Sequence, residues 1–158
     1  METTRHFTTK VYIVNEGATA LHEHPELEIF LPPGGHIDRD ELPHEAGLRE
    51  VREETGFDPE LYRDVSDVEV PGGRPLPQPV HHLLYDVNTY PDGDVGHQHI
   101  DFVYYASVDS RDVDPAPSEA APETWDWYTS DELRASDFDP DTVQMGIEAI
   151  ETIETAEY

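Results

Sequence analysis

Between Gly35 and Phe57 the chain reads GHIDRDELPHEAGLREVREETGF, which prescribes a glycine turn, a short helix and a second glycine turn in that order. Pro43 suits the first helical position, because its missing N–H would find no intrahelical acceptor there. Gly56 suits the left-handed residue that closes a helix. The spacing therefore predicts a helix from Pro43 to Thr55. Ala46 and Val51 supply its apolar contacts, and Glu45 stands four residues before Arg49, the separation of a helical ion pair. Leu42 is a poor cap, which leaves Asp40 or Glu41 to serve the amino end.

Glu50, Glu53 and Glu54 project from this helix within roughly a 100° arc. They repel one another, and at the carboxyl end the macrodipole disfavours each carboxylate by about 0.3–1 kcal/mol. A positive partner is therefore expected. Arg49 and Arg52 neutralise part of the cluster. Carboxylate oxygens converging from one face also recruit Mg²⁺ or Mn²⁺, which usually keep waters for a phosphate to displace. A solvated acidic helix laced with ion pairs explains neither the glycines nor acid at the carboxyl end.

Gly35, Glu41, Arg49, Glu50, Val51, Glu53, Glu54, Gly56 and Phe57 fit every fixed position of the pattern G-x5-E-x7-R-E-U-x-E-E-x-G-U, with U a bulky apolar residue. In this the chain resembles the Nudix hydrolases. The resemblance implies an α/β/α sandwich with a mixed β-sheet between helices. It also implies that the carbonyl of Gly35 joins Glu50, Glu53 and Glu54 as metal ligands, and that Arg49 braces the loop and the carboxylates. The phosphorus of a pyrophosphate is shielded by negative oxygens, so hydrolysis needs cations to neutralise them and a base to orient or deprotonate water. In the family that base is a glutamate of the motif or a carboxylate on a late loop. Here Glu119 and Glu123 lie on such a loop, and Glu123 is the first candidate, against the plainer reading of a solvated loop acid.

The reaction implied is metal-dependent cleavage of a nucleoside diphosphate linked to another group. ADP-ribose-like compounds come first, Pro71 falling near a proline of some ADP-ribose-cleaving members, and nucleoside triphosphates stay open. The alternative from another class is a sensor that binds such nucleotides without cleaving them. The isopentenyl diphosphate isomerases, similar in fold, use a catalytic cysteine that this chain lacks.

At 158 residues the chain is expected to be one domain. Its net charge of −27 comes from 36 acidic against 9 basic residues, of which only Lys10 is lysine. Such repulsion weakens a compact state unless salt screens it, and the Debye length falls from about 10 Å at 0.1 M to about 3 Å at 1 M. A halophilic cytoplasm fits this charge, with an acidic nucleic-acid mimic or interaction module as the competing reading. The same surface argues against binding DNA, RNA or acidic lipid, which require Lys and Arg. The amino terminus has no apolar signal core and no stretch is long enough to span a membrane, so a cytoplasmic protein is expected. Monomer and homodimer are both compatible with the pattern.

Strands are predicted at Thr8 to Asn15, Ala18 to His22, Leu27 to Leu31, Val65 to Val70, Val80 to Asn88, Ile100 to Val108 and Trp125 to Thr129. Loops run from Pro71 to Pro79 and from Tyr90 to Gly96, and the acidic stretch from Asp109 to Glu123 reads as an active-site lid. A last helix starts at Asp139 and Pro140, turning Val143, Ile147 and Ile150 to the sheet. His97, His99 and Asp101 alternate, which puts them on one strand face if the strand begins that early. Zinc, substrate contact and a core hydrogen-bond network are the three uses open to them. Trp125, Trp127, Tyr104 and Tyr105 could stack a base, but alternating aromatics on short strands more often fill a core.

Overall fold

The computed structural model describes residues 2–25, 27–89, 91–93 and 95–156. Two long strands form its spine. β1 (Thr4–Asn15) and β7 (Val95–Ser107) pair in parallel from Thr4 beside His97 to Val14 beside Ser107. β1 turns through Glu16 and Gly17, both at positive φ, into antiparallel β2 (Ala18–Glu23). β3 (Phe30–Leu31) and β8 (Trp125–Thr129) flank β2, and β4 (Gly34–His36) pairs with the first half of β1. β5 (Glu60–Leu61) and β6 (His81–Thr89) share the far edge of β7. The result is a mixed sheet of eight described strands.

Both faces are covered, so the middle of β1 is apolar throughout rather than alternating. Val11 and Ile13 pack with Tyr104, Val51 and Phe57 beneath helix α1 (Pro43–Thr55). Tyr12, Val14 and Leu21 pack on the other side with Leu133 of α2 (Ser130–Ala135) and Met145 of α3 (Pro140–Thr155). This is the α/β/α sandwich that the sequence led us to expect. Tyr104, Tyr105 and Trp125 are buried in these cores.

Several sequence expectations need correction. Residues 65–70 form no strand, only an isolated bridge from Val65 to Pro77, and Val65, Val68 and Val70 stay exposed. They pair with no strand of the sheet among the described residues. The strand expected from Leu27 shrinks to Phe30–Leu31 because Glu28 turns the chain at φ 54°, while His24 and Ile29 close the turn by hydrogen bond. β7 begins at Val95, within the expected 90–96 loop, of which residues 90 and 94 lie outside the described residues. The deepest face of α3 carries Thr142, Met145, Gly146, Ala149 and Ile150, leaving Val143 and Ile147 at its margins.

Candidate active site

Helix α1 forms as the spacing predicts, but its amino end leans on neither Asp40 nor Glu41. Glu45 takes that role, its Oε1 accepting the Leu42 N–H at 3.0 Å. Arg49 accordingly pairs with other acids than Glu45. Its Nε and Nη2 donate to the two oxygens of Glu41 at 2.7 and 2.9 Å, and Nη1 donates to Glu50 at 3.0 Å and Glu53 at 3.2 Å. Nη2 also reaches the His36 carbonyl at 3.1 Å, tying helix to strand. The planar fork suits this many acceptors better than an ammonium would. The Arg49 hydrogen bond holds the Glu41 carboxyl below its usual range.

Glu54 points beneath β4, where its Oε2 accepts the Gly34 N–H at 3.0 Å. Burial drives its pKa up to about 8, the Gly34 bond opposes that, and the charges of Glu50, Glu119 and Glu53 add to the rise. Burial also raises Glu50, against the pull of Arg49. Gly35 lies against Glu50, and a Cβ there would sit 2.5 Å from Oε1. Only glycine lets strand and carboxylate come this close. Arg49 reaches Glu50 and Glu53 but not Glu54, whose burial favours its neutral form. Three hard oxygen donors in that condition fit a hard divalent cation of the Mg²⁺ class.

The carboxyl end of α1 is closed by Gly56 at φ 77°. The long loop after β7 then docks on it, with Asp114 N–H donating to Thr55 O and Ala116 N–H to Glu53 O, both at 2.8 Å. The stretch read as a lid is thus anchored at 114–116. This docking carries Glu119 to where its charge acts on Glu50 and Glu54. Glu123 sits exposed in the one-turn 3-10 helix Pro122–Thr124.

Beside Glu54 opens a cavity of about 260 Å³ bordered by Gly34, Gly35, Lys10, His22, His24 and Asp101. Lys10, the sole lysine, forms an ion pair of 3.1 Å with buried Asp101. His22 stacks on Trp125 at 4.3 Å, and His22 Nδ1 and Trp125 Nε1 are buried with no hydrogen-bond partner among the described residues. Sequence reasoning missed Lys10 and His22, although the uniqueness of Lys10 was a usable signal. A larger hollow of about 310 Å³ is walled by Glu23, Glu28, Asp137 and Asp139 and would repel phosphate. His97 and His99 do share a face of β7, but Asp101 is occupied with Lys10 and with Thr8, whose Oγ1 donates to it at 3.1 Å.

With this geometry in view, comparison with known proteins becomes specific. A family model described as NUDIX domain matches residues 4–145. A crystal structure of a NUDIX-family hydrolase from Clostridium perfringens is 35% identical, with a TM-score of 0.82 over 95% of this chain and 99% of that one. A MutT protein from Methanosarcina mazei shares the fold at 18% identity and a TM-score of 0.64, covering 99% of each chain. An Ap4A hydrolase of C. elegans does so at 18% identity and 0.57, over 98% of this chain and 100% of that one. No curated protein matches the sequence.

Proposed function

The chain belongs to the Nudix hydrolase family, and from that premise we propose that it cleaves, with Mg²⁺ or Mn²⁺, the pyrophosphate bond of a nucleoside diphosphate linked to a second group. ADP-ribose-like compounds come first and nucleoside triphosphates second. The observation that carries this reading is Glu54, buried beside Glu50, Glu53 and the Gly35 cradle with its pKa pushed up to about 8. A buried carboxylate in that state gives up its proton when a cation arrives.

Glu50, Glu53 and Glu54, with the Gly35 carbonyl, would hold the ion. When bound, it supplies charge neutralisation at the phosphate oxygens and acidifies water. Everything else falls to the chain. Arg49 fixes the orientation of Glu50 and Glu53 through Nη1 and leaves Glu54 free of that constraint. Lys10, paired with Asp101, borders the neighbouring cavity as a cation available to an incoming phosphate, and His22 borders it too. For the base, Glu119 and Glu123 remain the two loop acids, and the reach of Glu119's charge to Glu50 and Glu54 favours Glu119. Glu119→Gln and Glu123→Gln assayed side by side separate them, the base being the one whose loss removes the acidic limb of the turnover profile.

In this reading the chain works as a single domain whose acidic set comes from one copy, in a monomer or a homodimer. Among the described residues no helix is long and apolar enough to cross a membrane. The acidic surface suits work in a salt-rich cytoplasm. The test is incubation in molar KCl with Mg²⁺ or Mn²⁺ and a panel of ADP-ribose, NADH, diadenosine polyphosphates and nucleoside triphosphates, with products identified by mass. Release of a nucleoside monophosphate supports the proposal. Folded protein that binds a member of the panel and cleaves none would be a sensor instead.

A further inference from the structure

On the sheet face turned away from α1, imidazoles crowd the open end of the central strands. Thr9 and Val11 face α1, where Gly47 packs against them. His6 and Thr8, at the alternate positions of β1, therefore project from the opposite face. His99 lies beside His6 in register, and His36 lies beside Thr8. One ring nitrogen from each of His6, His36 and His99 falls within 4.8 Å of the others. The His97 ring adds to the group at 4.5 Å from His6 and 5.1 Å from His99, with Nδ1 2.9 Å from Thr4 Oγ1.

We propose that His6, His36 and His99 form a second metal site, taking a borderline divalent transition ion of the zinc class, separate from the glutamates. Three neutral nitrogen donors favour zinc, cobalt, nickel or copper, whereas magnesium prefers oxygen. Tetrahedral zinc with Zn–N of about 2.0–2.1 Å needs nitrogens about 3.3 Å apart. The 4.8 Å spread must therefore contract. Rotation of the exposed His6 and His36 rings can supply that, because the three strands already fix the Cα positions. Three protein ligands leave a fourth position for water or for His97, whose ring is oriented by Thr4. His36 also couples the site to the catalytic side, since its carbonyl accepts from Arg49.

The test uses protein without a histidine tag, in molar KCl with saturating Mg²⁺ to occupy the glutamates. Co²⁺ is titrated and followed by its visible absorption, then displaced by Zn²⁺. The expected result is about one equivalent of Co²⁺ with tetrahedral bands, and an affinity loss of at least about tenfold in His6→Asn and in His99→Asn. The control His82→Asn, which removes a ring stacked on Phe102, leaves binding unchanged. His6 is exposed, so its variant keeps the fold and reads out ligation alone. The proposal is overturned by undiminished Co²⁺ affinity in His6→Asn, by no binding to folded protein, or by binding lost in Glu53→Gln with Glu54→Gln.

Discussion

Replacing Glu54 by Gln separates a carboxylate kept for a cation from one kept for the fold. Glutamine has the same shape and can still accept the Gly34 N–H that Glu54 accepts at 3.0 Å. Burial raises the Glu54 pKa from 4.5 to about 8, so in metal-free protein the native side chain is largely neutral at pH 7. Below the unfolded value it is protonated in folded and unfolded chains alike, and the variant should match the wild type. As pH climbs from 4.5 to 8 the folded protein must either ionise a buried acid or hold a proton the unfolded chain has released. Wild-type stability from this group is therefore lost over that window. The full difference, at about 1.4 kcal/mol per pH unit, is on the order of 3 to 5 kcal/mol. Glu54→Gln should thus match wild type near pH 4 in EDTA and be more stable by about 2 kcal/mol near pH 6 and by a few kcal/mol near pH 9. Urea melts of both proteins in molar KCl measure this, and the same preparations assayed with Mg²⁺ should show turnover reduced by orders of magnitude. A variant less stable than wild type at the higher pH, or one with near-normal turnover, would refute the reasoning.

Three further outcomes follow from the same geometry. Arg49→Lys keeps the charge but cannot span Glu41, Glu50, Glu53 and the His36 carbonyl together, so it should cost about 1–3 kcal/mol and raise the Mg²⁺ concentration for half-maximal turnover. Unchanged melts and metal dependence would show that Arg49 is not the brace. Gly56→Ala places a side chain at φ 77° against the Asp114 carbonyl and should lower stability by about 1–3 kcal/mol, read by thermal melting. The melting temperature of the wild type should rise steadily from dilute buffer to molar KCl, since the net charge is −27. A flat salt profile would mean that the charges are too widely spaced to matter.

How far the sequence carried depended on whether an element was defined by its own residues or by its neighbours. Helix α1 carries its proline, glycine and apolar stripe within itself, and its bounds and the acidic face were legible. Thr129 to Thr155 was half read: α3 was anticipated, but α2 was not, although Thr129 and Glu132 form the reciprocal cap that Thr-x-x-Glu announces. The valines of 65–70 mislead because alternation describes a strand's faces and says nothing of whether a partner strand is there to pair. Within the site, the three glutamates could be read from spacing, since one helix presents them. Lys10, His22 and Glu119 reach it from β1, β2 and a loop, and only the sheet order and the docking of 114–116 bring them there. The histidine group shows the same limit: His97 and His99 share a face by alternation, while His6 and His36 join them across strand pairs that no local pattern encodes.

The central claim is that Glu50, Glu53 and Glu54 hold a cation that hydrolysis requires. It is tested most directly by stripping the protein with EDTA in molar KCl and following nucleoside monophosphate release from ADP-ribose as Mg²⁺ or Mn²⁺ is returned. Wild type should be inactive when stripped and recover in a saturable way, while Glu53→Gln with Glu54→Gln stays inactive at every metal concentration. Cleavage that persists in excess EDTA, or full recovery in the double variant, would contradict the account.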